Sequence, residues 1–293
     1  MICISSEKMR TLENGTDAES LTDLIQHNAL LHTQYYHYTK VSRLDNILQN
    51  KEFWLLPVDR FNDEKDSETF GEGQKNTFSL CFSSGTTENL PLWYMYAGMD
   101  GKGARIGFRK KDFKKLAEEL KLTLWEHTEG TDKKIIKADK YIRELRSGED
   151  GCEIYFRDIM YIHDTERETR LKYNNAVKNN GVLKSEIEKF KANNPGCYKS
   201  LIWFYEKETR LIVKVPPSFI KKDKKYIVAL QLDDTYNNMD IMLAPEYTPD
   251  EKAKVISQYL GFREFLSSKL KLSEYSGTIN MSLCKNCDRK EKS

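Results

Sequence analysis

Apolar runs of strand length recur along the chain: "YYHYTK" (35–40), "FSLCFSS" (78–84), "ARIGF" (104–108), "CEIYFRDIMYI" (152–162), "WFYEKETRLIV" (203–213) and "KKYIVALQLD" (224–233). Runs this short, closed by polar or turn-forming residues, favour strands over helices. Between them lie charged stretches with helical spacing. Leu21, Leu24, Ile25 and Leu31 share a face in 17–32, with Asp17 or Ser20 as cap, and Val41, Leu44, Ile47 and Leu48 do so after the first strand. Lysines and leucines alternate helically from Arg109 to about Asp150, 164–194 reads as a polar helical excursion, and "TPDEKAKVISQYLGFREFLSSKL" as the last helix. The pattern predicts an α+β fold with a mixed sheet. A leader helix over 1–33, one domain over 34–283 with a charged helical insertion at about 164–199, and a tail at 284–293 are the expected divisions.

Charge narrows the function classes. Lysine plus arginine number 47 against 45 acids, so there is no global basic field of the kind nucleic-acid binders show. The start has no apolar core of signal-peptide length, and no run reaches the roughly 18 apolar residues that cross a bilayer. A soluble, cytoplasmic protein without a membrane partner is expected. The six cysteines are scattered, unlike a secreted disulfide framework, and only Cys284 and Cys287 in "CKNC" have metal-like spacing. A structural zinc site needs a second ligand pair that no nearby His or Cys supplies, so surface thiols are expected there.

The common nucleotide and hydrolase motifs are absent. "GEGQKN" and "GKGARIG" carry paired glycines without forming G-x-G-x-x-G, and the second precedes a strand where a dinucleotide fold needs the loop to follow one. No phosphate-binding G-x-x-x-x-G-K-S/T, H-E-x-x-H or G-x-S-x-G is present. Three other clusters carry chemistry. In "YYHYTK", alternation places His37 and Thr39 with Tyr35 on one side and Tyr36 with Tyr38 on the other, and either face suits a core. If "WFYEKETRLIV" is extended from Trp203, Glu206, Glu208 and Arg210 share a face. That face is either a surface ion-pair ladder or a carboxylate site in a cleft, held by an arginine and suited to a developing positive charge. In "ENLPLWYMYAG", read as a short helix, Trp93, Tyr94 and Tyr96 fall within about one turn, as core, rim or a stacking surface.

The stretch "YYHYTKVSRLDNILQNKEFWLLPVDRFNDEKDSE", with "FSLCFSS", "LWYMYAGMDGKGARIGF" and "WFYEKETRLIV", resembles a widespread bacterial family of unknown function. Its members share H-Y-T, F-N-D, W-x-x-Y-A, G-x-x-x-G-F and Y-E-x-E-x-R in this order. The similarity covers most of 35–215 in islands and is weaker to residue 284. That family in turn resembles the ADP-ribosyltransferase superfamily, particularly its nucleic-acid-modifying toxin branch. The resemblance implies an ADP-ribosyltransferase-like sheet and NAD as substrate. It also implies an acceptor that is a macromolecule, nucleic acid or protein, or else water, as in an NAD glycohydrolase, and a toxin or phage-defence setting. By it His37 and Thr39 hold the dinucleotide, Tyr96 stacks on nicotinamide with Trp93 beside it, Glu208 is the catalytic acid, Glu206 faces the acceptor, and Arg210 helps hold the cofactor. Asn62 and Asp63 of "FNDE" have no counterpart and either bind substrate or make an Asx turn. Two readings of other classes stand beside it: a non-catalytic nucleotide or nucleic-acid binder, and a nuclease with magnesium on Asp63, Glu206 and Glu208, which Arg210 would disfavour.

Overall fold

The computed structural model describes residues 17–61, 63–97, 102–128, 140–164, 168–173 and 176–278. In chain order the first half carries α1 (Ala18–Asn28), β1 (Gln34–Lys40), α2 (Leu44–Asn50), β2 (Glu52–Pro57), α3 (Glu64–Glu68), β3 (Thr77–Ser84), α4 (Leu90–Tyr96), β4 (Gly103–Arg109), α5 (Lys110–Glu118), β5 (Leu122–His127) and β6 (Lys140–Leu145). The second half carries β7 (Glu153–Asp158), β8 (Met160–Asp164), β9 (Glu168–Tyr173), β10 (Ala176–Leu183), α6 (Lys184–Asn193), β11 (Tyr198–Ser200), β12 (Glu208–Lys214), β13 (Lys225–Gln231), β14 (Asp240–Leu243), α7 (Pro249–Gln258), α8 (Arg263–Lys269) and β15 (Leu270–Leu272). The fold is α+β with a mixed sheet: β3 pairs antiparallel with β1 and β2, β4 with β1 and β14, β7 with β12 and β5 with β13 and β6, while β14 with β15 and β11 with β8 run parallel. Two compact units form, each from three stretches: the described residues of 1–32, 53–81 and 117–231, and those of 33–52, 82–116 and 232–293.

In the first unit the strands pair in the order β7-β12-β3-β2-β13-β5-β6, and a smaller sheet follows the order β10-β9-β8-β11. Its core joins the predicted apolar face of α1, Leu21, Leu24 and Ile25, to Ile187 and Phe190 of α6 and to Val58, Phe70, Met160, Ile162 and Ile212. Burying side chains of this size removes roughly 1.5–3 kcal/mol of exposure cost apiece. Asp17 caps α1 as its position suggested, its Oδ1 accepting from the Ser20 amide at 2.9 Å. Two expected helical stretches are strands instead. Residues 140–145 pair with β5, with Tyr141 edge-on to Trp125 at 5.3 Å between centroids, and the excursion after 164 is the β9–β10 hairpin, helical only from Lys184. A lysine-rich strand with one exposed face shows the same charge density as a surface helix, which is why composition misled there.

In the second unit the order is β15-β14-β4-β1-β3, with Ser83 and Ser84 the β3 residues opposite β1. As the spacing of Leu44, Ile47 and Leu48 predicts, a helix, α2, follows β1. On β1, His37 faces Ile106 and Thr39 faces Ala104 of β4, while Tyr36 faces Gly107 and Tyr38 faces Arg105. Both faces are largely buried. Tyr35 stacks on Phe113 at 3.6 Å between centroids, and Phe82 meets Phe113 edge-on at 4.9 Å. No helix among the described residues is long and apolar enough to cross a membrane.

Candidate functional site

A buried ionic cluster in the first unit gathers the acids and the arginine that sequence alternation had grouped, by a different route. Leu201–Glu206 is a 3₁₀ turn and not a strand, Lys207 takes the left-handed conformation at φ 45°, and β12 begins only at Glu208. Glu208 and Arg210 therefore share a side of β12. Glu206 reaches the same place through Lys199 of β11. The surface-ladder reading is overturned, since Arg210 is 0 % exposed, Glu208 6 % and Glu206 3 %.

Arg210 is held between two carboxylates. Its Nη1 and Nη2 donate to Asp66 Oδ1 at 2.9 Å and Oδ2 at 2.6 Å, its Nε and Nη2 to Glu208 Oε1 at 2.7 Å and Oε2 at 3.0 Å, and Nη1 also to the Gly196 carbonyl at 2.9 Å. Forked pairing of this kind uses the guanidinium's planar donor set. Lys199 Nζ sits among three carboxylate oxygens, 2.7 Å from Glu206 Oε2, 2.7 Å from Glu208 Oε2 and 3.2 Å from Asp66 Oδ2. The rings of Phe61 and Phe70 lie 5.2 and 6.0 Å from the Arg210 guanidinium, completing a low-dielectric wall. Asp66, Glu206 and Glu208 against Lys199 and Arg210 leave a formal charge of −1.

Burial alone would push the Glu208 carboxyl up, but the charges of Arg210 and Lys199 outweigh it and hold the group well below the usual carboxylate range. Burial would likewise pull Lys199 down, and Glu208 with Asp66 and Glu206 instead raises it well above an ordinary lysine. The Cys81 thiol is pushed well up by burial and by Glu208, to which it is hydrogen-bonded. The backbone of Glu208 is fixed as well: its amide donates to the Tyr161 hydroxyl at 2.9 Å, and its carbonyl accepts from the Ile159 amide at 2.9 Å. On the opposite side of β12, the Thr209 hydroxyl donates to Asp158, whose Oδ2 lies 2.7 Å from His32 Nε2.

A pH dependence follows from these signs. Glu208 folds with its pKa lowered from 4.5, so its contribution is complete above about pH 4.5 and is lost as pH falls through the lower folded value. Lys199 folds with its pKa raised from 10.5, so its contribution is complete below that pH and is lost only as pH rises through the still higher folded value. The urea midpoint should therefore stay flat with respect to these two groups from about pH 5 to 10 and fall on acidification. A Glu208→Gln variant should show a shallower acid slope, and an unchanged slope would remove Glu208 as its source.

The other sequence-predicted residues lie in the second unit. His37 is half-buried on β1, its ring edge-on to Phe82 at 6.1 Å between centroids, and Thr39 beside it is buried. Trp93 and Tyr96 are on α4, the helix expected there, capped by Asn89 Oδ1 accepting from the Leu92 amide at 3.3 Å. Tyr96 is half-buried. Trp93 is wholly buried, edge-on to Tyr38 at 4.9 Å, with its indole donating to Glu88 at 2.9 Å. Trp93 and Arg210 are both enclosed by protein, Trp93 packed on Tyr38 and Arg210 hydrogen-bonded to Glu208. Asp63 makes the turn reading concrete, capping α3 through the Lys65 amide at 3.0 Å. Asn62, Cys284 and Cys287 lie outside the described residues. Among the described residues no group of three or more His, Cys, Asp or Glu is arranged to hold a metal ion.

Asp66 and Lys199 were missed by sequence reasoning. Asp66 is one acid in the run "DEKDSE", and nothing in the spacing of Lys199 separates it from the many other lysines. Residues 92–211 match the family described as "Protein of unknown function (DUF2971)". The matched stretch includes Trp93, Tyr96, Lys199, Glu206, Glu208 and Arg210, and excludes His37, Thr39 and Asp66. No curated protein and no solved structure matches the chain.

Proposed function

We propose that this protein transfers ADP-ribose from NAD to a macromolecular acceptor, nucleic acid or protein, with Glu208 as the electrostatic catalyst. The observation that carries the reading is the pair Glu206, which ends the 3₁₀ turn, and Glu208, which opens β12, fixed in a cluster whose formal charge is −1. Cleaving the nicotinamide glycosidic bond sends the bonding electrons to the leaving nicotinamide and leaves an oxocarbenium-like ribose. A carboxylate held ionised in a dry setting stabilises that cation far more than it stabilises neutral ribose. Lys199 and Arg210 keep Glu208 charged and in place, and the uncompensated charge of the cluster is what the developing cation meets. The acceptor nucleophile then attacks the anomeric carbon and gives its proton to water, with Glu206 on the acceptor side. His37 and Thr39 bind the dinucleotide and Tyr96 stacks on nicotinamide, as the resemblance implies.

The magnesium nuclease reading is disfavoured on specific grounds: Asp63 caps a helix, and Glu206 and Glu208 are already engaged by cations. The decisive measurement is nicotinamide release from NAD by the purified protein, with and without RNA, DNA or lysate. Glu208→Gln should lower turnover by roughly a hundredfold or more while NAD affinity is largely kept. His37→Ala should weaken NAD binding itself. Saturable NAD or nucleic-acid binding without any nicotinamide release would convert the reading to the non-catalytic binder.

A further inference from the structure

The second unit buries a cation for which the described residues provide no carboxylate. Arg105 stands in the middle of β4, opposite Tyr38 on β1 and Met242 on β14, and is 7 % exposed. Its guanidinium lies over the Tyr36 ring at 4.0 Å to the centroid, its Nη2 donates to Met242 Sδ at 3.2 Å, and it is hydrogen-bonded to the Tyr38 hydroxyl. Its Nη1 is buried with no hydrogen-bond partner. Three acids act on the two tyrosines without an ion pair to Arg105: Asp240, which is paired with Lys271 at 3.3 Å, Glu88, which accepts from the Trp93 indole at 2.9 Å and the Ser273 hydroxyl at 2.6 Å, and Glu274.

Buried guanidinium groups are ordinarily paired with an anion, because an ion removed from water loses its hydration with nothing in return. A thioether is a weak acceptor, and an aromatic face only partly replaces a carboxylate. Arg105 therefore has the donor fork of an anion-binding arginine with one arm unengaged. The surroundings are built to hold that fork. Gly107 faces Tyr36, where a Cβ would come within 3.0 Å of the ring, so glycine lets the ring lie beneath the guanidinium. The Tyr38 hydroxyl accepts from the Asn89 amide at 3.2 Å as well as from Arg105, which leaves its own proton to donate. Burial pushes both phenols up, so each remains a neutral O–H at physiological pH.

We propose that Arg105, with Tyr36 and Tyr38, forms a binding site for an oxyanion, the phosphate or carboxylate group of a small molecule. The site is separate from the strand face assigned to NAD, because Tyr36 and Tyr38 point from β1 to the side opposite His37 and Thr39. It stands whether or not the protein is a transferase.

Thermal unfolding at matched ionic strength tests it, with sodium chloride as baseline and sodium phosphate or sodium acetate as probes. The parent midpoint should rise saturably with one of the two. A response to phosphate alone assigns a phosphate ligand, and a response to acetate alone a carboxylate. Arg105→Met keeps an apolar stem on Tyr36 and should weaken the apparent affinity at least tenfold, while melting no lower than the parent in chloride because an uncompensated buried charge has gone. Arg105→Lys keeps the charge without the fork and should also bind more weakly, which provides a second reading if the methionine variant fails to fold. No saturable rise in the parent, or an equal rise in either variant, would overturn the site.

Discussion

Replacing Arg210 with methionine should lower the unfolding free energy by about 3–5 kcal/mol, read as a fall in urea midpoint at unchanged slope. The size comes from what the substitution strands. Asp66 loses both of its Arg210 contacts and Glu208 loses two, and all three groups are almost fully buried, so Asp66 and Glu208 are left with only Lys199, which Glu206 also engages. Leaving charges buried and unpaired costs more than the pair contributed while intact. A second substitution separates this from simple loss of packing: Arg210→Met with Asp66→Asn should recover a measurable part of the loss, since one stranded charge is removed. A double variant as unstable as the sum of the two single ones would show that Asp66 and Arg210 do not interact energetically.

Gly196→Ala should be comparably severe, at about 3 kcal/mol or more, and for a backbone reason. Gly196 has φ +73°, a conformation that L side chains rarely adopt, and a Cβ there would lie 2.0 Å from Phe70 Cε1. The ring cannot simply step aside, because Phe70 belongs to the core with Val58, Ile187 and Phe190. The Gly196 carbonyl also accepts from Arg210 at 2.9 Å, so backbone displacement would loosen the ionic cluster too. Chemical denaturation of the variant checks the magnitude, and a loss under about 1 kcal/mol would mean that the segment relaxes freely.

How far these features were legible depended on whether their cause was local. The cap of α1, its apolar face, the helix bearing Trp93 and Tyr96, and the β1 alternation follow from neighbours within a few residues and are present as read, except that Leu31 lies beyond the end of α1 and is exposed. The grouping of Glu206, Glu208 and Arg210 was right although the proposed geometry was wrong: a left-handed Lys207 interrupts the assumed strand, and Lys199 restores the proximity. Strands at 140–145 and 168–183 escaped because their identity rests on pairing partners and not on period. Arg105 has a visible signal in the sequence, a lone charge between the glycines of "GARIGF". Its burial is a property of the neighbouring strands.

The interleaving of three stretches in each unit also sets a timetable for the newborn chain. Asp66 and Arg210 are 144 residues apart in sequence, so at a ribosomal rate of roughly 5–20 residues per second Asp66 emerges on the order of ten seconds before its partner. During that interval α1 lacks Ile187 and Phe190, β3 lacks β12, and a carboxylate destined for a dry interior must stay hydrated. The first unit therefore closes late and as a whole, when β12 and β13 have been made. A ribosome stalled before Arg210 should carry a chain that proteases cut readily anywhere between Phe53 and Cys81, and one stalled well beyond Gln231 should protect the same stretch.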